Sequence, residues 1–586
     1  MGGNKMSILK TIKKIGFGLH SSSKRFPITL IYSWSTALLL IIINEIDSSL
    51  SNETKEMLIR INMILALGIP LSLCAKMFFE KNEKKAAHLY IYYSLVIVFQ
   101  VFFYLFLLKD LKMMSISRYI GVNLAAYLAF IFIPHMVNKE NFESYVIHVL
   151  TYFLVTYVYS LVLYGGLSAI LFAIDSLLGI NIKREIYFYT FLIVALGFGP
   201  AYFLAYVPER NKISIELNYS KILKILLIYI VMPLLATYAL ILYLYFIKII
   251  ITMEWPEGLV SHLVLWFSLI LTLVLFFITP IERDNKWIAN FTKWAPRTIL
   301  PILIMMFVSM GIRINAYGIT ENRYYVLVLG LWIFAIMIYL SLCKKKKNII
   351  LPISLSIIIL ISILGPFSSF SISQYSQSKR FENILINNNM IKEGKIVPST
   401  NISRGDRQTI SSILSYFHDN HSLTRLALLP KDFKIEDMED TLGFAYESPY
   451  LRYLNHFHFI TNISEDILDI SDYDYLIDAN YIYPETPIEN DELSIETSYE
   501  DSTVTITLID SGDIYKKDFN DFGAMIYKKY GEIGNKDSLP LEEMIIEEEF
   551  KGYIFKFILQ NFGGYINKND DVEINNLSYY LLIKKN

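Results

Sequence analysis

Long apolar runs separated by short polar breaks fill the first 366 residues. Eleven of them approach or exceed the roughly 18–20 residues that an α-helix needs to cross a hydrocarbon core of about 30 Å. They cover 26–44, 57–79, 87–108, 119–136, 145–175, 186–206, 223–250, 260–281, 298–313, 323–343 and 349–366. Only helices and closed barrels satisfy every backbone group in lipid, and runs this long and continuous specify helices. The fifth run is long enough to tilt or to project beyond a bilayer; the ninth is short. Gly and Pro interrupt several runs, as in "LGIPLSL", "LYGGLSA" and "GFGPAYF". Such residues permit close helix packing or a kink, and in transporters they mark broken helices. No internal repeat accompanies them, which weakens the transporter reading.

Gly365 and Pro366 end the eleventh run, and the period then changes. The Ser-rich stretch "FSSFSISQ" reads as a short linker. "RFENILINNNMIKEGKIVP" reads as a helix with a loop. "TISSILSYFHDN" has apolar residues at helical spacing, behind the helix-start chemistry of "SRGD". "STVTITLID", "GAMIYKKY", "YIFKFILQNF" and "LSYYLLIKK" read as strands. The acidic, Tyr-rich stretch "EDILDISDYDYLIDANYIYPETPIENDE" has irregular spacing and predicts no defined element. The pattern thus predicts a polytopic α-helical membrane protein of about eleven transmembrane helices with a C-terminal α+β domain. Its parts are a basic segment 1–25, a multi-pass domain 26–369 and a soluble domain 370–586 long enough to own a core.

Composition fits this division. Of 586 residues, 54% are hydrophobic, and the mean hydropathy is +0.40, more apolar than a soluble protein of this size. The net charge of −2 conceals a split: residues 1–370 carry about 33 Lys and Arg against about 18 Asp and Glu, and the remainder about 20 against 37. Alternate loops hold the cations: Lys5 to Arg25, Lys76/Lys81/Lys84/Lys85, Arg210/Lys212/Lys221, Arg283/Lys286/Lys293/Arg297 and Lys344 to Lys347. This bias predicts a cytoplasmic N-terminus, and eleven crossings place the acidic domain outside a bacterial cell membrane. The first run has no small-residue cleavage site and reads as an uncleaved signal-anchor. Membrane lipid is the expected partner, with an envelope lipid or polymer as ligand. The acidic domain repels phosphate, so nucleic acid is excluded. Cys74 and Cys343 lie far apart in apolar runs and read as small buried residues.

Chemistry is sparse. Two loops predicted at the outer face carry polar groups: Glu254, Trp255, Glu257 and His262 in one, Arg313, Tyr317, Glu321, Asn322 and Arg323 in the other. Charges beside hydrocarbon need partners. The first reading makes these groups salt bridges and aromatic anchors that tie spans 8, 9 and 10 together, with Thr320 capping span 10. The second makes them a headgroup- or polymer-binding pocket, with Arg313 and Arg323 on an anion and Glu257 or His262 handling protons. Asp175 lies at the same predicted face and is a candidate to join them. Arg60, His88 and His148 are the other polar groups within or beside runs. In the tail, His418, Asp419 and His421, and His456 with His458, have spacings permissive for zinc but common by chance, and no metal is assigned. No nucleotide-binding loop, dinucleotide fingerprint, "HExxH", "GxSxG" or EF-hand pattern occurs, and no cofactor is expected.

Three stretches carry a family resemblance: "YSLVLYGGLSAILFAIDSLLG", "WPEGLVSHLVLWFSLILTLVLFFITPIE" and, most specific, "RINAYGITENRYYVLVLGLW". With the multi-span front and outer tail, the chain resembles the bacterial family called domain of unknown function 4153 over roughly residues 20–370. The resemblance implies a multi-pass inner-membrane protein and no reaction, substrate or cofactor. Three functions remain open: an outer domain that binds or senses an envelope component, an integral-membrane enzyme or transferase acting on a lipid-linked substrate at the outer leaflet, or a transporter.

Overall fold

The computed structural model describes residues 16–47, 50–82, 87–136, 141–209, 219–253, 259–343, 345–446, 456–461, 468–479, 487–498, 502–530, 538–566 and 572–585. Two compact units divide at Asn383 and Ile384.

In the first unit, ten helices among the described residues have the length and composition to cross a membrane: α1 Pro27–Ile46, α2 Asn52–Lys81, α3 His88–Leu107, α4 Met113–His135, α5 Phe142–Leu178, α6 Arg184–Ala205, α7 Lys221–Thr252, α8 Ser261–Asp284, α9 Lys286–Tyr317 and α10 Glu321–Leu342. A shorter apolar helix, α11 Ile350–Ile363, takes the place of the eleventh run. Each run forms a helix, but α9 starts at Lys286 rather than 298. The side chain of Asn285 accepts from the Trp287 amide at 2.9 Å and starts it. Its first turns bury Ile288, Thr292 and Pro296 on one face and expose Lys286, Lys293 and Arg297 on another. A window tuned to uniform apolarity misses such a face. The Ser-rich stretch is not a linker either: it opens α12 Ser369–Asn387, and the unit boundary falls inside that helix.

Side-chain contacts sort the helix ends into two sets. At one end, Arg25 bonds Glu80 and the Val207 carbonyl, Asn348 donates to Glu143 and Thr279, and Lys224 pairs with Asp284. At the other, Tyr189 donates to Glu45, Arg60 to the Leu108 carbonyl and Tyr324 to the Phe367 carbonyl. Successive helices therefore run antiparallel. The core between them is built from residues such as Met77, Phe142, Met232, Val264, Ile299, Leu303 and Met337. Two glycines serve close packing: a Cβ on Gly68 would stand 2.4 Å from the Tyr32 ring, and one on Gly197 2.5 Å from Trp34. Gly165 and Gly166 face open space. Cys74 donates to the Ala126 carbonyl at 3.1 Å, whereas Cys343, expected to be buried, is exposed just past α10.

The second unit begins with the small hairpin β1 Ile391–Lys392 and β2 Lys395–Ile396, then α13 Arg404–Asn420 and the short α14 Met438–Leu442. Ser403 caps α13 by accepting from the Asp406 amide at 3.1 Å, as "SRGD" predicts. Two antiparallel sheets come next. One orders β3 His456–Ile460, β10 Tyr553–Ile566, β11 Val572–Lys585 and β4 Tyr475–Asp478, with β9 Ile545–Phe550 also on β10. The other orders β5 Ile488–Glu489, β6 Leu493–Ser498, β7 Thr503–Leu508 and β8 Ile514–Asp518. They share one core, with Ile495, Val504 and Ile506 from one sheet and Phe555, Phe557 and Tyr579 from the other. "GAMIYKKY" is not a strand but part of α15 Asn520–Tyr530. Phe522 and Ile526 stand four apart on its buried face, and Gly523 lets it meet Ile574.

Candidate functional site

The candidate outer loop joins α9 to α10, and α12 closes over it. Gly318 ends α9 at φ 70° and ψ 178°, turning the carbonyls of 316–319 outward from the helix. α12 collects them. Arg380 donates to Ala316 O at 2.9 Å and Tyr317 O at 3.2 Å. Gln377 donates to Tyr317 O and Ile319 O, each at 3.1 Å, while Ser376 Oγ accepts from the Ile319 amide at 2.9 Å. From α10, Arg323 donates to Gly318 O at 2.9 Å and lies over the Tyr317 ring at 5.5 Å. Ser369 donates to the Tyr325 hydroxyl at 2.8 Å, beside Arg118, which stacks over Phe370 at 5.6 Å. These bonds satisfy carbonyls that a helix C-terminus leaves open.

Two sequence candidates are thereby brought together, Tyr317 and Arg323; Glu321, at the first position of α10 and only 2% exposed, precedes Arg323 on the same helix. Asn322 sits beside them, exposed. Thr320 takes the N-cap position, but its hydroxyl makes no capping bond. Arg313 is half-buried and His262 exposed, and neither has a hydrogen bond or ion pair among the described residues. Glu254, Trp255 and Glu257 lie outside the described residues. Asp175 accepts from the Ile182 amide at 3.1 Å and closes its own loop after Gly179.

Sequence reasoning misses α12's share of this arrangement, because Ser376, Gln377 and Arg380 fall in what reads as soluble tail. It also counts Arg25 and Lys76 only as loop cations. At the opposite helix ends Arg25 grips Glu80 through two bonds, at 3.0 and 2.8 Å, and donates to the Val207 and Pro208 carbonyls; Lys76 approaches Glu80 at 3.6 Å. His148 meets the Tyr206 carbonyl at 3.2 Å. Glu80, the one acid in "AKMFFEK", is the signal that could have found them.

A cleft of about 480 Å³ runs between α1, α2, α4, α5 and α6, lined by apolar and aromatic residues such as Leu73, Phe130, Phe153, Tyr164, Phe191 and Phe203. From Val149 to Tyr164 along α5 it covers about 22 Å at 1.5 Å per residue. Its polar neighbour is a smaller hollow of about 300 Å³ at Arg25, His148 and Pro208, sharing Leu204 with it. The cleft thus approaches the end opposite the 317–323 loop.

In the tail, His418 pairs with Asp419 at 3.0 Å and His421 with the Tyr416 hydroxyl at 2.8 Å. His458 is exposed, and the side chain of His456 lies outside the described set. Among the described residues no three His, Cys, Asp or Glu side chains group as metal ligands. One electrostatic feature of the sheet domain is structural. Burial raises the Glu548 carboxyl, but donors from Lys517 and Tyr515, each at 2.5 Å, outweigh it and hold the group below the usual range.

Residues 34–393 match the family described as Domain of unknown function (DUF4153). The chain belongs to this family. The DUF4153 segment runs from within α1 into the β1–β2 hairpin, so it contains the cleft except Thr29 and the whole α9–α10–α12 arrangement and excludes the two larger sheets. The Uncharacterized protein PM1469 of Pasteurella multocida (strain Pm70) is 23% identical over 340 residues, covering 58% of this chain and 57% of that protein. No solved structure matches.

Proposed function

We propose that the chain is a multi-pass protein of the bacterial cytoplasmic membrane, N-terminus inside, whose sheet domain lies outside and binds a component of the cell envelope. One observation carries this reading: α12, the helix that leads into the sheet domain, is fastened to residues 316–319 by five hydrogen bonds. The carbonyls of this turn are spent on Gln377 and Arg380 of α12 and on Arg323, so they do not form an open charged pocket. The orientation rests on loop charge: Arg25, Lys76, Arg283, Lys286 and Arg297 belong to the end set of Glu80, Asp284 and Ser341, which is the cytoplasmic side by the positive-inside rule.

A second reading, an enzyme or transferase on a lipid-linked substrate, is favoured by the cleft alone, whose long apolar lining suits a lipid chain. Its polar end adjoins Arg25 rather than the 317–323 loop, which argues against chemistry at the outer leaflet. The same apolar lining offers little to a polar solute, so a transporter of such solutes has no support from it.

Two experiments test the proposal. In intact cells an impermeant maleimide should label Asn322→Cys in a Cys343→Ser background and spare native Cys343; the reverse pattern overturns the orientation. Detergent-solubilised full chain should co-sediment with isolated cell-wall polymer, and a chain ending after residue 387 should not. Equal sedimentation of both removes the sheet domain as the binder.

A further inference from the structure

We infer that the cytoplasmic-side surface of α9 is a binding site for an anionic phospholipid. The inference rests on reading α9 as a membrane span. A cleft of about 370 Å³ opens between α7, α8 and α9, lined by Leu240, Tyr243, Phe267, Trp287, Phe291 and Trp294. Its surface is apolar and aromatic, the lining that accepts an acyl chain. Trp287 and Trp294 are 44% and 56% exposed, so their rings face outward at its rim.

A cationic stripe borders this cleft. Lys286, Asn290, Lys293 and Arg297 recur at steps of four, three and four, which places them on one face of α9. Asn290 and Trp294 on that face line the cleft itself. Lys293 and Arg297 flank the Trp294 ring at 5.7 and 5.8 Å. Arg297 is held in position by donating to the carbonyls of Lys293 at 2.6 Å and Ser341 at 2.9 Å, neither of which neutralises it. The nearby acids are engaged elsewhere: Glu282 accepts from Thr292, and Asp284 pairs with Lys224. Among the described residues no carboxylate pairs with Lys286, Lys293 or Arg297. Arg283 and Lys345 to Lys347, at the adjoining ends of α8 and α10, add positive charge to the same side.

Depth agrees with charge. The 32 residues of α9 measure about 48 Å, against about 30 Å of hydrocarbon. The mainly apolar part, 298–317, with Arg313 and Asn315 in its last two turns, measures about 30 Å, so it matches the hydrocarbon and leaves 286–297 at headgroup level. Unbalanced cations at that level beside an apolar cleft complement a headgroup phosphate joined to acyl chains. Each basic residue near an anionic surface is worth roughly fivefold in affinity.

The test uses the full chain in phosphatidylcholine nanodiscs containing a minor fraction of acyl-brominated phosphatidylglycerol or acyl-brominated phosphatidylcholine, with tryptophan quenching as the readout. The anionic probe should quench more than the neutral one. That excess should vanish in Trp287→Phe/Trp294→Phe, persist in Lys286→Arg/Lys293→Arg, and fall roughly fivefold in apparent affinity per cation removed. The series runs from Lys286→Gln/Lys293→Gln, which leaves the Arg297 bonds intact, to the triple variant with Arg297→Gln. Equal quenching by both probes, or an excess that survives the triple variant, overturns the site while leaving the membrane reading standing. Displacement of the excess by soluble glycerol 3-phosphate would mean a free-anion site and also overturns it. Absence of quenching by either probe removes the membrane reading as well.

Discussion

Gly318→Ala is the sharpest test of how α12 is held. At φ 70° and ψ 178° Gly318 occupies a region that only glycine populates readily, so any side chain costs about 1–3 kcal/mol in backbone strain. An added Cβ would also stand 2.8 Å from Gln377 Nε2 and 3.3 Å from Ser376 Oγ. Gln377 is flexible and can swing aside, but it then forfeits its bonds to Tyr317 O and Ile319 O, about 1 kcal/mol each. The sum is roughly 3–5 kcal/mol, a factor of about 150 to several thousand in local opening. Gln377→Ala loses only the two hydrogen bonds, about 2 kcal/mol. The double variant should therefore cost about 2 kcal/mol less than the sum of the singles, because those bonds are counted once. Hydrogen exchange of the full chain in detergent, read on peptides covering 316–319 and 369–383, measures all three. Unchanged exchange in Gly318→Ala, or strict additivity of the two substitutions, would refute the coupling of this turn to α12.

Arg25→Gln should lower thermal stability in detergent by about 2–3 kcal/mol, less than for a fully buried pair because the side chains of Arg25 and Glu80 are 15% and 22% exposed. Adding Glu80→Gln should recover part of that loss, and a double variant as unstable as Arg25→Gln alone would count against the ion pair as the cause. In the sheet domain, the Glu548 carboxyl titrates lower in the folded chain than in the unfolded one. Its stabilisation is complete above the unfolded value of about 4.3 and is lost as pH falls through the depressed folded value. Glu548→Gln should flatten acid unfolding in that window, followed by near-ultraviolet circular dichroism; an unchanged acid limb would exclude this carboxylate. Gly564→Ala puts a Cβ 2.2 Å from the Glu573 carbonyl oxygen, a backbone atom that cannot move aside without parting β10 from β11. We expect a cost of about 3 kcal/mol, visible as early proteolysis of the sheet domain; wild-type resistance would contradict it.

The helices are legible because lipid-length apolarity is a one-dimensional property of the chain. The exceptions have local physical causes. The start of α9 hides in "KWIANFTKWAPR", where buried Ile288, Thr292 and Pro296 alternate with exposed cations, a helical period rather than an apolar run. α15 reads as a strand because eight residues of "GAMIYKKY" are too few to separate the two periods. The longer window from Asn520 shows Asp521 in the first turn and Lys528 and Lys529 in the last, the charge order a helix prefers. In the candidate site, "YGITENRYY" reveals a turn but not its partner. Ser376, Gln377 and Arg380 stand 57 to 64 positions away and meet backbone atoms, which every residue type carries alike. A bond from a side chain to a distant carbonyl leaves no periodicity and no complementary charge to find. The family boundary nevertheless carries the same information. The DUF4153 match extends through α12 and stops within the hairpin after it, before the two larger sheets. If α12 were only the first helix of the tail, the family segment would have no reason to include it. Its inclusion is expected if α12 completes the helical unit by closing the α9–α10 turn, with the sheet domain carried beyond it.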